Sequence, residues 1–164
     1  LKADTKKKLE EENQKRAKFE TEEEAIKAVV DATEVNIPAV MIENEINDYT
    51  KEMESRLRYQ GMNLETYLQL MGQSISDFKE EYKDRAEENV KTKLTLEAIF
   101  NAENIEITDK DIEEKLKQIA ERYGSTGANV EELIKNPTDN LKEYIKEALK
   151  YDLAIKFIMD NLAK

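Results

Sequence analysis

The stretch that decides the fold is Val35-Asn-Ile-Pro-Ala-Val-Met-Ile-Glu-Asn-Glu-Ile46, because it ends one helix and begins another. Pro38 suits the first position of a helix, where the backbone N–H that proline lacks would have no partner. Apolar side chains then recur every three or four residues, which is the spacing of one helical face: Ile42, Ile46, Tyr49, Met53 and Leu57. The stretch therefore predicts an amphipathic helix from about Pro38 to Gln60.

The composition of the 164-residue chain indicates a single all-α domain. Charged residues make up 38% of the chain and hydrophobic residues 39%, which supplies a modest core. Four glycines and two prolines favour long helices over many tight turns. The alternation of apolar and polar residues that marks a half-buried strand is almost absent, so we expect little or no sheet.

Charge and residue content argue against several functions. The net charge of −11 disfavours a nucleic-acid partner, since phosphate binding needs a dense basic surface. The chain has no Cys and no His, which removes disulfides, Ser-His-Asp triads and the usual zinc sites. Its 37 acidic residues are interpreted as solvated helix surface rather than as metal ligands or acid–base pairs. We expect no enzyme activity, no cofactor and no metal in this chain.

Targeting and membrane signals are not visible in the sequence. No apolar run approaches the length that crosses a bilayer, so no membrane contact is expected. No signal peptide is recognised either. The chain begins at Leu1 without a methionine, and we expect it to be a piece of a longer protein.

Two stretches of the chain repeat one arrangement without repeating a sequence. In residues 38–102 and again in 108–162, a helix leads out, a small helix follows, and a long helix returns with its most apolar end last. We therefore predict an elongated helical body with two protruding helical-hairpin arms, whose outer tips lie at 60–74 and 124–138. The predicted segments are a body or linker helix (1–34), the first arm with its return helix (35–105) and the second arm with its return helix (106–164).

Capping residues place the helix ends inside each arm. Gly61 suits a left-handed helix end, and Asn63 suits the start of a short helix. Ser74 and Asp77 have the spacing of a capping box. The helix that they open is predicted to run unbroken from Ile75 to Ala102.

The second arm carries the same kinds of signal. Thr108 and Asp111 form a second predicted capping box. The helix that they open is predicted to stop at Gly124, and the last helix to run from about Thr138 to Leu162.

Apolar side chains at the two tips are the candidate binding residues. They either pack locally and hold each tip together, or expose a surface for other polypeptides. Met and Tyr suit the second role, because Met adapts its shape and Tyr tolerates water at its hydroxyl. The candidates are Met53, Leu57, Tyr59, Met62, Leu64, Tyr67 and Met71 at the first tip, and Ile119, Tyr123, Val130, Leu133 and Ile134 at the second.

Several segments, taken in order, carry a family resemblance. Besides residues 35–46 they are Tyr59-Gln-Gly-Met-Asn-Leu-Glu-Thr-Tyr-Leu68, Leu94-Thr-Leu-Glu-Ala-Ile99, Glu103-Asn-Ile-Glu-Ile107 and Ala154-Ile-Lys-Phe-Ile-Met-Asp-Asn-Leu162. In this order and spacing they closely resemble the C-terminal domain of trigger factor, the ribosome-associated bacterial chaperone. The resemblance covers essentially the whole chain.

The resemblance implies an all-α body with two arms that cradles unfolded or nascent polypeptides in the cytoplasm, without ATP. It also implies a parent protein that assists folding and export and carries separate ribosome-docking and prolyl isomerase domains, neither of which lies in this chain. Contact with the ribosome would then need a domain that is absent here. Two alternatives stay open: a helical scaffold that binds a folded partner or itself as a homodimer, and an extracytoplasmic chaperone of similar helical design.

Overall fold

A computed structural model describes residues 2–123 and 137–162, with side chains at 12–14, 16–121 and 137–162. These residues contain no β-strand, and the predicted all-α class is confirmed. They form α1 (Lys2–Asp31), α2 (Ala39–Tyr59), α3 (Leu64–Met71), α4 (Ile75–Glu81), α5 (Lys83–Ala102), α6 (Asp109–Tyr123) and α7 (Asp139–Leu162).

The chain divides into two compact units, and α5 contributes to both. One unit comprises Leu1–Ala32 with Leu96–Lys164, and the other comprises Thr33–Thr95. The division therefore joins the first helix to the last part of the chain. The predicted body and arms remain a prediction.

The unit of Leu1–Ala32 and Leu96–Lys164 is built around α7. The first half of α7 packs on α6, and its second half packs on α1 and on the end of α5. Each contact excludes water from a set of aliphatic side chains, which is the main stabilising contribution in a helical core. The two buried clusters are Ile112, Leu116, Ile145 and Leu149, and Ala25, Leu96, Ala154 and Ile158.

The unit of Thr33–Thr95 has one small buried cluster, to which α2, α3 and α4 each contribute. Leu57, Leu64, Leu68 and Phe78 are buried in it. Tyr49, Met53, Met62 and Tyr67 are half-buried and pack against it. These few side chains hold α2, α3 and α4 together, so each of them makes a large fraction of the packing contacts among the three helices.

The predicted helix of residues 38–60 is confirmed with a different start. Pro38 has extended backbone angles (φ −62°, ψ 135°) and precedes the helix, which begins at Ala39. Its carbonyl accepts a hydrogen bond from the N–H of Met41 at 2.9 Å. Pro38 therefore serves as the residue before the first turn, and not as the first helical residue.

The prediction of one unbroken helix from Ile75 to Ala102 is wrong. The helix is interrupted at Tyr82, where ψ is −9°, far from the helical value of about −42°. The Tyr82 N–H bonds to the Phe78 carbonyl at 3.3 Å, and regular bonding resumes with the Ala86 N–H at 2.9 Å from the Tyr82 carbonyl. The Tyr82 ring stacks on Tyr49 of α2, a contact that no pattern within the segment indicates.

Candidate functional site

The end of α2 is fixed by a backbone motif that exposes Tyr59. Gly61 adopts a left-handed conformation (φ +73°), as its position predicts. The N–H of Met62 then donates to the carbonyl of Leu57 at 2.9 Å, and the N–H of Gly61 donates to that of Arg58 at 3.0 Å. This pair of bonds is a Schellman motif. Tyr59 lies on the last turn before it and is 95% exposed.

The start of α3 is capped as the sequence predicts. The Asn63 side-chain oxygen accepts a hydrogen bond from the Thr66 N–H at 2.7 Å, which confirms its capping role. The helix ends at Met71, and Gly72 (φ +69°) provides a second left-handed end. This short helix is therefore held at both ends by local interactions.

The predicted capping box at the start of α4 is confirmed. The Asp77 N–H donates to the Ser74 hydroxyl oxygen at 3.1 Å, and the Ser74 N–H donates to the Asp77 carboxylate at 3.1 Å. The Ser74 hydroxyl also donates to that carboxylate, at 2.6 Å. The bonds from the Ser74 hydroxyl and N–H lower the pKa of the Asp77 carboxyl below its ordinary value of 3.8. Gln73 adds a bond to Glu81 at 3.0 Å, which ties the turn to the other end of α4.

Four large apolar side chains are exposed around these two turns. Tyr59 precedes the first turn, while Leu70, Met71 and Ile75 flank the second. Leu70 is 73% exposed, Met71 60% and Ile75 47%. We call these four the exposed tip residues. They stand on helix ends whose geometry is fixed by the caps, so their exposure does not come from a loose loop.

The sequence-predicted residues of the first tip take three different positions. Tyr59 and Met71 are exposed, and Met53, Met62 and Tyr67 are half-buried against the interior cluster. Leu57 and Leu64 are buried in that cluster.

Leu70 and Ile75 were not predicted as site residues. Leu70 lies outside the apolar face that Leu64, Leu68 and Met71 form on α3. An apolar residue outside such a face is the sequence signal that could have identified Leu70.

Two shallow grooves adjoin the exposed tip residues. One, of about 430 Å³, includes Leu64, Leu68 and Ile75 in its wall, with Glu54 and Glu65 among its polar residues. The other, of about 410 Å³, is lined by Glu54, Arg58, Met62, Asn63, Leu64 and Glu65. The first groove thus combines apolar and polar residues, whereas four of the six residues that line the second are polar or charged.

An aromatic stack and a polar chain join α2 to α4 and α5 beside this tip. Tyr49 stacks on Tyr82 with ring centroids 3.7 Å apart, and on Phe78 at 5.7 Å. Partial burial of Tyr82 raises the pKa of its hydroxyl. The Asn89 amide donates to that hydroxyl oxygen at 3.2 Å and to the Glu45 carboxylate at 3.3 Å.

The second tip is only partly described. Ile119 is half-buried and packs on the cluster of Ile112 and Leu149. Tyr123 ends α6, but its side chain lies outside the described part of the chain. Val130, Leu133, Ile134 and the predicted stop at Gly124 also lie outside it.

The described part of the chain contains neither a metal-ligand cluster nor a membrane-spanning helix. No group of three or more Asp, Glu, His or Cys there is placed to hold a metal ion. None of the helices described in that part of the chain is sufficiently long and apolar to span a bilayer.

Comparison with known proteins decides the family. Residues 1–160 match the family described as "Bacterial trigger factor protein (TF) C-terminus". The chain belongs to the trigger factor family. Trigger factor from Caldanaerobacter subterraneus subsp. tengcongensis is 40% identical over 161 residues, and that from Thermoanaerobacter pseudethanolicus is also 40% identical over 161 residues.

The match to trigger factors places the chain as a C-terminal segment of this chaperone family. It covers 98% of the chain but 37% of each of those two relatives. Trigger factor from Bacillus licheniformis is 42% identical over 90 residues, which is 55% of the chain and 20% of that protein. The chain thus spans little more than a third of the length of these two trigger factors from Caldanaerobacter and Thermoanaerobacter. No solved structure gave a significant match.

Proposed function

We propose that this segment holds unfolded or nascent polypeptides through its exposed tip residues, as an ATP-independent chaperone. The observation that carries the proposal is the exposure of Tyr59, Leu70, Met71 and Ile75 on helix ends fixed by caps. Exposed apolar surface of this kind is where other polypeptides bind, and these four side chains all come from residues 59–75. Membership of the trigger factor family supports the same function.

The strength of such holding follows from the area that a client covers. Apolar surface removed from water contributes roughly 25 cal/mol per Å². A contact of a few hundred Å² therefore contributes several kcal/mol, from which the cost of association must be subtracted. The remainder is small, so a client binds reversibly and can leave when it folds. Several weak contacts on one chain add avidity.

The net negative charge of the chain helps to keep the exposed tip residues available to clients. The chain carries a net charge of −11, and like charges oppose the association of copies through their apolar side chains. The adjoining grooves carry Glu54 and Glu65 beside their apolar residues. Repulsion between copies thus leaves the exposed tip residues open to clients.

The remainder of the function belongs to the longer protein. We infer a cytoplasmic parent that assists folding and export, docks on the ribosome and carries a prolyl isomerase domain outside this chain. Two facts support this inference. The chain belongs to the trigger factor family, and it covers only 37% of the length of the Caldanaerobacter trigger factor. A ribosome partner would then be reached through a domain that this chain does not contain.

The test is suppression of aggregation of an unrelated denatured protein by the purified chain. A tip variant carrying Tyr59→Ser, Leu70→Ser, Met71→Ser and Ile75→Ser is expected to lose most of the protection. The matched control carries Phe19→Ser, Tyr144→Ser and Leu162→Ser, which remove exposed apolar side chains from the other unit. It is expected to protect as well as the unchanged chain. Circular dichroism verifies that both variants remain helical.

Two results would contradict the proposal. Equal protection by the tip variant and the unchanged chain would remove the exposed tip residues from client binding. Absence of protection by the unchanged chain, together with a concentration-dependent increase in its mass, would favour the alternative of a self-associating helical scaffold.

A further inference from the structure

The sulfur chemistry of this chain is confined to five methionines, because it contains no cysteine. Met71 is 60% exposed. Met41, Met53, Met62 and Met159 are all less exposed and half-buried. A thioether in contact with water is the one that a dissolved oxidant reaches most readily.

Met71 is exposed at a position where its side chain is not part of the buried cluster. It is the last residue of α3, next to the left-handed Gly72, and it lies outside the buried cluster of Leu57, Leu64, Leu68 and Phe78. Because Met71 is mostly exposed, water can hydrate an oxygen added to its sulfur in the free protein. The helices would therefore keep their packing after the modification.

Met71 is next to Leu70 in the sequence and four residues before Ile75, and all three are exposed tip residues. A change in its polarity thus falls on the surface that is proposed to contact clients. Met sulfoxide is polar where the thioether is apolar, and burying its oxygen without a hydrogen-bond donor is unfavourable.

We propose that Met71 is a reversible oxidation site at which hydrogen peroxide lowers the affinity of the tip for apolar polypeptides. A sulfur lone pair attacks one peroxide oxygen, the O–O bond breaks, and the products are the sulfoxide and water once the leaving hydroxide takes up the proton. The sulfur loses two electrons and the peroxide gains them. A methionine sulfoxide reductase restores the thioether: two thiols supply two electrons and two protons, the oxygen leaves as water, and the thiols become a disulfide. The effect on clients rests on the proposed function, whereas the site of oxidation does not.

The order of oxidation is measured first. The chain is labelled at its methionine methyl groups, treated with increasing hydrogen peroxide, and followed by NMR, with Met71→Leu assigning the signal. The Met71 signal is expected to convert before the other four. Earlier conversion of a half-buried methionine, such as Met62, would overturn the proposal.

The consequence is measured with a permanently unfolded, apolar-rich polypeptide. Oxidation of the unchanged chain, and Met71→Gln without oxidant, are both expected to weaken binding about tenfold, the penalty for burying one polar group. For each variant, the affinity is compared before and after peroxide: Met71→Leu is expected to show no further loss, whereas the control Met62→Leu is expected to lose as much affinity as the unchanged chain. Unaltered binding by the oxidised chain would overturn the inference alone. Failure of the untreated chain to bind would overturn both this effect and the proposed function.

Discussion

The ring of Tyr82 lies flat against the ring of Tyr49, with centroids 3.7 Å apart and planes 6° apart. Tyr49 belongs to α2, whereas Tyr82 separates α4 from α5. The contact therefore holds α2 beside the junction of two helices and accompanies the break between them. Lys79 of α4 reinforces it by donating to the Asn47 side chain at 3.0 Å.

The stacked tyrosines are expected to couple energetically. Tyr82→Leu keeps apolar volume but removes the stack, and it should lower the free energy of unfolding by about 1–2 kcal/mol. A double-mutant cycle with Tyr49→Leu should give a coupling of about 0.5–1.5 kcal/mol. Urea unfolding measures both quantities. Tyr144→Leu, at a 71% exposed position, is the control and should change little. Purely additive effects of the two variants would show that the stack contributes nothing.

The capping box of α4 predicts a loss of stability in acid. Hydrogen bonds from Ser74 lower the pKa of Asp77 in the folded protein below the ordinary value of 3.8. Their contribution is therefore fully present above the unfolded pKa and is lost as the pH falls through the folded pKa. Asp77→Asn should flatten this part of the stability–pH profile, as measured by urea unfolding between neutral and strongly acidic pH. An identical acid slope in the variant would contradict the assignment.

The left-handed helix ends predict opposite effects for two substitutions. Apart from Gly61 and its two chain neighbours, no described residue has a heavy atom within 4 Å of a Cβ built on Gly61. Gly61→Ala should therefore be destabilising through backbone strain alone, by about 1–2 kcal/mol. Asn104 occupies a left-handed position (φ 50°) after α5, and Asn104→Gly should be stabilising by up to about 1 kcal/mol. Thermal unfolding compares the two. A shift of the same sign in both variants would contradict this account.

Thr95 is a buried residue whose hydroxyl has no hydrogen-bond partner among the residues that the structure describes. An unpaired buried polar group is destabilising, so Thr95→Val should raise the free energy of unfolding by about 1 kcal/mol. Thr92→Val is the matched control on the same helix, because the Thr92 hydroxyl donates to the Glu88 carbonyl at 2.9 Å. The control should be neutral or slightly destabilising. Destabilisation by Thr95→Val would mean that its hydroxyl is satisfied in solution.

Local features of the fold could be predicted from the sequence. The capping boxes at Ser74 and Thr108 depend on residues three positions apart, and the structure contains both. The left-handed Gly61 follows from the lack of a Cβ. Such features need no knowledge of distant parts of the chain, so a pattern in the sequence is sufficient to locate them.

Features that depend on distant contacts could not be predicted in the same way. The break at Tyr82 accompanies the stacking of its ring on Tyr49 of α2. The apolar spacing along residues 75–102 continues through Tyr82 and does not indicate a break. The tip residues share one apolar character in the sequence, yet Leu57 is buried and Tyr59 is exposed. Only the packing of α2 on α3 and α4 decides which side chains face solvent.

The central claim is tested most directly by an NMR titration of the labelled chain with a permanently unfolded, apolar-rich polypeptide. We expect shifts that saturate and concentrate at Tyr59, Leu70, Met71 and Ile75, with smaller effects at Glu54 and Glu65 in the adjoining grooves. Shifts confined to the other unit, around Phe19, Tyr144 and Leu162, or no shifts at high polypeptide concentration, would contradict it.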